Sequence, residues 1–397
     1  MKSSIKFKLL KFTVCMACMA CMACMACMAN QQLHNSSYDT HICITMTLFT
    51  SPPRSICILR LSAIGDVCNA IASVQTIQQQ WPQTRITWIA GNAETAFLRP
   101  LLPSVKVIAF DKQLGFRGIQ AVWKILNNQY FDALLHMQCA IRASLLSVGI
   151  KAKYKLGFDQ IRAHDLQLWF TNVKVLSPTS LHVLDGFMAF TETLGLKQQT
   201  PTWTLPLADT DIMWAKAQLN EKPTLIVAPA ASKTFKNWIV EGYAAVIEHA
   251  INKGFNIILT GGSGKIEIEL GDNIEAMLTH PVTNLIGKIT LLQLISLEKE
   301  ASLVLAPDSG PAHLANAVGT PVIGLYAHHN PERTGPYNWR QYVVNAYDEA
   351  IKVETGKMTN QVDWRTRVKD KNAMQRITIG EVISRFDEVI SKEELCL

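Results

Sequence analysis

Residues 303–326, LVLAPDSGPAHLANAVGTPVIGLY, constrain the fold more than any other stretch of the chain. The apolar run ending at Ala306 reads as a strand buried on both faces, and Pro307 to Gly310 is turn chemistry. Ser309 or Gly310 is placed to cap a helix with Pro311 in its first turn, where a missing N–H is harmless. Gly319 stands where a helix end favours a left-handed residue, and Pro321 stops the helix ahead of a second strand. Strand, helix and strand joined by tight turns form a βαβ unit, which requires a parallel sheet. The turn also aims the free N–H groups of the helix beyond the strand end, where they attract an anion. Asp308, Ser309, Gly310 and His313 surround that point. Strand-to-helix turns that bind nothing share this spacing, so spacing alone leaves both readings open.

The same alternation recurs along the chain. Strands are expected at Ile56–Leu61, Arg85–Ala90, Val105–Phe110, Asp132–Met137 and Tyr154–Phe158. The βα pattern restarts at Thr224–Pro229 and continues through Asn256–Gly262 and Asn284–Gly287. A chain of 397 residues exceeds one core and suits two α/β domains. The expected division is an N-terminal extension at 1–50, a first domain at 51–205 and a connection at 206–222. A second domain follows at 223–345, and a tail at 346–397 ends in an amphipathic helix with Ile379, Val382, Ile383, Phe386 and Ile390 on one face.

The extension does not match the rest. It contains Cys-Met-Ala five times over, from Cys15 to Ala29. The Cys-x-x-Cys spacing lacks histidines and partner pairs, which argues against a metal or redox site. A basic start before an apolar run imitates a secretory signal. The reading favoured here is a short DNA repeat upstream of the true start, with Met46 as initiator and protein from Met46 fully active. Six of the ten cysteines precede Met46, leaving Cys57, Cys68, Cys139 and Cys396. Four scattered cysteines suit a reducing compartment. Of the net charge of +6, Lys2, Lys6, Lys8 and Lys11 against Asp39 supply half. The remainder is too weakly basic for a nucleic-acid partner but suits anionic lipid head groups or phosphorylated glycans. No apolar run beyond residue 50 reaches the about 20 residues of a membrane span.

Asp66 falls at a helix N-terminus just past the first strand, where open α/β sheets place ligands and where aspartate also serves as a cap. Arg142 and Arg162 follow strand ends and are candidates to hold an anionic ligand. Gly261–Lys265, GGSGK, is not a P-loop: Leu259 stands in place of the first glycine and Ile266 in place of Ser or Thr. His328 and His329, adjacent on an extended loop with no third ligand nearby, read as solvated, and no metal site is expected. No G-x-G-x-x-G follows the first strand, which argues against a nicotinamide dehydrogenase.

Three strings narrow the reading. LRLSAIGDVCNAIASVQTIQQQWPQTRITWIAG resembles the opening of glycosyltransferase family 9, the ADP-heptose:lipopolysaccharide heptosyltransferases. APAASKTFKNW is similar to that family's lysine loop, and APDSGPAHLANAVGTPVIGLY with NPERTGPY resembles its donor block. The resemblance covers about residues 55–345 in order and spacing. It implies a GT-B fold, two Rossmann-like domains facing a cleft, and inverting transfer without metal or other cofactor. By motif, Asp66 matches the general base and Lys236 the lysine near the donor phosphates, with Ser232 as a hydroxyl donor to them. Asp308 would orient the sugar hydroxyls, Ser309, Gly310 and His313 would face the pyrophosphate, and Glu267 would reach the nucleoside. The implied partners are ADP-heptose and a lipid A–Kdo acceptor at the inner membrane, for a cytoplasmic protein peripheral on its inner face. AHHNPERT stands where many members have a Gly-Pro-Thr-Asp run, which leaves the sugar and acceptor open. Two alternatives remain: a GT-B enzyme using another nucleotide-sugar for a surface glycan, and a non-catalytic nucleotide-sugar-binding homologue.

Overall fold

In the first half, β1 (Ser55–Leu59), β2 (Arg85–Gly91), β3 (Lys106–Phe110), β4 (Phe131–His136), β5 (Ala152–Gly157) and β6 (Val173–Lys174) alternate with α1 (Ile64–Gln80), α2 (Asn92–Leu101), α3 (Phe116–Leu126), α4 (Ile141–Val148) and α5 (Val183–Leu194). The second half begins at α6 (Asp209–Ala217), inside the expected connection. Its strands are β7 (Thr224–Val227), β8 (Asn256–Leu259), β9 (Thr283–Asn284), β10 (Leu303–Pro307), β11 (Val322–Tyr326) and β12 (Val344–Asn345). Its remaining helices are α7 (Val240–Asn252), α8 (Lys265–Glu275), α9 (Leu291–Glu300), α10 (Gly310–Val318), α11 (Pro331–Thr334), α12 (Tyr347–Thr355) and α13 (Ile379–Lys392). This computed structural model describes residues 47–395, so the Cys-Met-Ala tract and Met46 lie outside the described residues.

Both sheets are parallel and share one topology. The first runs β3-β2-β1-β4-β5-β6, the second β12-β11-β10-β7-β8-β9, which is the same order read from the other edge. Ile56 pairs with Ile86 and Ala133, and Val304 with Ile226 and Val322. Each sheet reverses its winding between two central strands, β1 and β4 in one, β7 and β10 in the other. Ligands of open α/β sheets sit beyond such points.

The expected extension gives way earlier than residue 50. Leu48 N–H bonds Thr193 O at 3.1 Å, Phe49 N–H bonds Leu194 O at 3.0 Å, and the Phe49 ring meets Trp81 and Tyr154 edge-on. The segment set apart as a tail also carries core: Tyr347, Ile351, Val382, Phe386, Val389 and Ile390 pack with the second sheet.

The helix α1 is buried along nearly its whole length. One side lies on the first sheet and α5, while the other meets α10 of the second half. The cluster built on Ile56, Ile58, Ile71 and Val74 therefore includes Leu294, Ile295, Leu314 and Ala317. A helix buried on nearly all sides needs cover on all of them, and here the second half supplies part of it.

Candidate active site

The N-terminal tips of α1 and α10 lie together, and Gly65 is their contact. A Cβ at Gly65 would stand 2.4 Å from His313 Cδ2, so a side chain there displaces the imidazole. One turn on, Cys68 Sγ–H donates to His313 O at 3.5 Å. Gly310 faces Ile64, which a Cβ would meet at 3.5 Å, so this glycine is not sterically required.

Asp66 sits in the first turn of α1. The N-cap is Ala63, and no side chain caps the helix, so capping is not the role of this aspartate. Its Oδ2 pairs with Arg60 Nη2. Arg60 is fixed in turn by Met137 O, which accepts from Nη1 at 2.8 Å, and by the Phe187 ring, 5.3 Å from its Cζ. The Asp66 side chain keeps 39% exposure, which leaves it open to a reactant.

Across the contact, Ser309 is the N-cap of α10, Pro311 lies in the first turn, and Gly319 closes the helix at φ 89°, the left-handed region glycine favours. Ser309 makes no side-chain cap bond. Its Oγ and the Nδ1 of His313 are buried without a partner. Two unsatisfied polar atoms at one helix tip leave hydrogen-bonding capacity open where a helix N-terminus favours an anion. Burial lowers the His313 pKa, with the Asp308 and Asp66 carboxylates opposing, so the imidazole is mostly neutral at pH 7.

Asp308 follows β10. Its Oδ2 accepts from Lys236 Nζ at 2.7 Å, and His329 Nδ1 stands 2.5 Å from the same oxygen. Lys236, at the end of the 3₁₀ turn Thr234–Lys236, also donates to Asp308 O at 3.3 Å. Burial alone would raise the Asp308 pKa. The His329 hydrogen bond and the Lys236 charge prevail and hold this carboxyl well below the usual range.

Two expectations are corrected here. His328 and His329 are not solvated. His328 is buried, its ring bridging Val368 O at 3.1 Å and Phe235 O at 2.9 Å, and His329 belongs to the Asp308 cluster. Arg162 is not free to take an acceptor. It is buried, with Nη1 on Asp159 at 2.8 Å and Nη2 on Ser180 O at 2.5 Å. Arg142 is exposed in the first turn of α4. Glu267 lies in the first turn of α8 and accepts from Gly262 N–H at 2.5 Å, closing the glycine turn. Ser232 is exposed in the loop that carries Lys236. Among the described residues no group of three ligating side chains gathers for a metal.

Sequence reading missed His329 and Arg60, and also the ties across the rim. His182 Nδ1 accepts from Leu184 N–H, so its Nε2–H donates to Gly335 O at 2.9 Å. Tyr337 O–H donates to Asp185 at 2.8 Å. The Trp364 indole carries Arg162 of the first half at 5.3 Å and Arg333 of the second at 4.9 Å. The one available signal was Arg60, a charged residue closing an otherwise apolar strand.

A family model described as glycosyltransferase family 9 (heptosyltransferase) matches residues 119–362. The lipopolysaccharide core heptosyltransferase OpsX of Haemophilus influenzae is 45% identical over 345 residues, 87% of this chain and 99% of that protein. Among solved structures, a family 9 glycosyl transferase from Veillonella parvula superposes with a TM-score of 0.68 at 18% identity, covering 87% of this chain and 99% of that one. The Escherichia coli heptosyltransferase WaaC with ADP gives 0.64 at 19% identity, covering 85% and 98%. These structures share the fold, the two-lobed GT-B arrangement.

Proposed function

Because the chain belongs to glycosyltransferase family 9, we propose that it transfers heptose from ADP-heptose to the inner core of lipopolysaccharide, inverting the anomeric centre and using no metal. The acceptor is a Kdo or heptose hydroxyl on lipid A–Kdo, at the cytoplasmic face of the inner membrane, where the enzyme is peripheral. No helix among the described residues is long and apolar enough to cross a membrane.

The observation that carries the reading is the meeting of two unlike helix tips, an open carboxylate at Asp66 and unpartnered polar atoms at Ser309 and His313. In the proposed step the acceptor oxygen bonds to the anomeric carbon as Asp66 takes its proton. The bond from that carbon to the β-phosphate oxygen breaks on the opposite side, and ADP leaves. The charge that builds on the diphosphate meets the α10 tip, Lys236 and the His313 imidazole. Arg60 orients Asp66, and Asp308 is placed for the sugar hydroxyls. Glu267 is the proposed nucleoside contact and Ser232 a further phosphate donor.

Replacing Asp66 by alanine tests the assignment. Transfer should fall about 10²–10⁴-fold with ADP-heptose binding intact, and near-normal turnover would overturn it. One observation favours a second reading. His329 occupies Asp308, the residue given to the sugar hydroxyls, and so alters the sugar subsite. A donor panel in which ADP-heptose is ignored and another nucleotide-sugar is used would select that reading.

A further inference from the structure

The surface of the first half is unlike that of the second. Among the described residues, twelve of nineteen exposed large hydrophobic side chains lie between Leu114 and Leu181. Scattered apolar residues need no explanation, but a contiguous patch does. On α4 the exposed apolar residues are Ile141, Leu145 and Val148, four and then three apart, which is one helix face. The opposite face, Ala143 and Leu146, is buried against the sheet. Thus α4 has apolar residues on two sides and a partner for only one.

Its neighbours extend the patch. Helix α3 covers the same side of the sheet and exposes Phe116 and Ile125. The Phe116 ring meets Trp123 edge-on at 6.0 Å, and Trp123 Nε1–H donates to Leu146 O at 2.8 Å, which joins α3 to α4. At the strand-end edge, Cys139 Sγ bonds Arg162 O at 3.7 Å, joining the segment before α4 to the loop that exposes Ile161. The same loop exposes Leu166 and, at 78%, Trp169. This is the edge of the sheet at which Asp66 stands.

Charge distinguishes a lipid surface from a protein partner. Residues 112–158 contain seven lysines and arginines against Asp132 alone, while the whole chain nets only +6. Arg117, Lys124, Arg142, Lys151 and Lys153 are exposed among the apolar residues. Apolar side chains rimmed by cations fit the boundary between acyl chains and anionic head groups. We propose that the α3–α4 face, with the loop from Ile161 to Trp169, docks the enzyme on an anionic phospholipid leaflet, with the strand-end edge turned toward lipid-borne acceptor. Arg142, in the first turn of α4, is one of those cations. The inference rests on the reading that the acceptor is anchored in a membrane.

The test is sedimentation of the full chain with vesicles of phosphatidylglycerol and phosphatidylethanolamine, against phosphatidylcholine alone. The wild type should bind the first, release in high salt and ignore the second. Leu145→Asp with Val148→Asp should cut binding about tenfold, and Arg117→Glu with Lys124→Glu should abolish its salt dependence. All these residues are exposed, so folding, checked by circular dichroism, should hold. Transfer to a water-soluble deacylated acceptor should be unchanged in both variants while transfer to acceptor in vesicles falls. Wild type that stays in the supernatant, or variants that bind as wild type does, would overturn the docking face. So would a dimer in light scattering that Leu145→Asp dissolves with vesicle binding unchanged. If the wild type binds vesicles but transfers nothing from ADP-heptose to either acceptor, the heptosyltransferase reading fails while the membrane face stands.

Discussion

The two sheets have the same strand order and treat their winding reversals in opposite ways. Beyond β1 and β4 the first half fills the crevice with its own groups. Gln138 Oε1 accepts from Leu61 N–H at 2.9 Å and Ser62 N–H at 3.2 Å, while Arg60 ties Met137 to Asp66. Beyond β7 and β10 the second half gathers Lys236 and Asp308 but leaves Ser309 Oγ and His313 Nδ1 unsatisfied. One topology thus yields a rigid mount for a single carboxylate and an unfinished cradle. Each half leaves a buried polar atom unpaired, Arg60 Nε in the first and Ser309 Oγ with His313 Nδ1 in the second, and the difference is that the second half's open atoms lie at a helix N-terminus.

The largest test of this contrast strikes the cradle. Lys236→Ala should lower kcat about 10²–10³-fold, as the loss of a preorganised donor does, and should also cost stability in urea unfolding, because the buried Asp308 carboxylate is left with His329 alone. A stability loss with kcat unchanged would mean that the lysine is part of the scaffold only.

Acid separates the halves next. Burial pushes the His136 and His182 imidazoles down to about 4, against an ordinary value near 6.5. Their folded pKa values lie below the unfolded ones, so their contribution is whole above about pH 6.5 and lost as pH falls toward 4. The limit is roughly 3 kcal/mol for each at about 1.4 kcal/mol per unit. The depressed Asp308 contributes above about pH 4 and is lost only below it. Urea titrations at successive pH values should show the first loss before the second, and His182→Gln should shrink the first alone.

A smaller pair of substitutions reverses the roles. Gln138→Ala strands the Leu61 N–H, while water can reach Ser62, and should cost about 1–3 kcal/mol in unfolding free energy, leaving ADP affinity as it was. Ser309→Ala removes an atom that has no partner, so stability should hold or rise while ADP affinity, read by calorimetry, drops by about tenfold or less. A stability loss at Ser309 would show that the cradle is already complete.

Local features were legible and distant ones were not. Ser309, Pro311 and Gly319 announce a helix start and stop because each acts within a turn of its own position, and strands buried on both faces read as apolar runs. His329 was hidden because its partner, Asp308, lies 21 residues earlier, just past the end of another strand. The direction of a loop side chain follows from tertiary packing. Arg162 was misassigned although its partner stood three residues away: Asp159 and Arg162 form a local pair that proximity to a strand end obscured. The β1 turn identified Asp66 but not its neighbour Arg60, whose charge opposed a buried position until a carboxylate was seen beside it.

Leu294, Ile295, Leu314 and Ala317 belong to an interior otherwise made by the first half, and this has a thermodynamic consequence. The first lobe's largest interior is completed by the second lobe, which keeps a cluster of its own from Leu225 to Ile390. Heating should produce one calorimetric peak for the whole of residues 47–395, and a fragment ending before α6 should be collapsed and sticky instead of native.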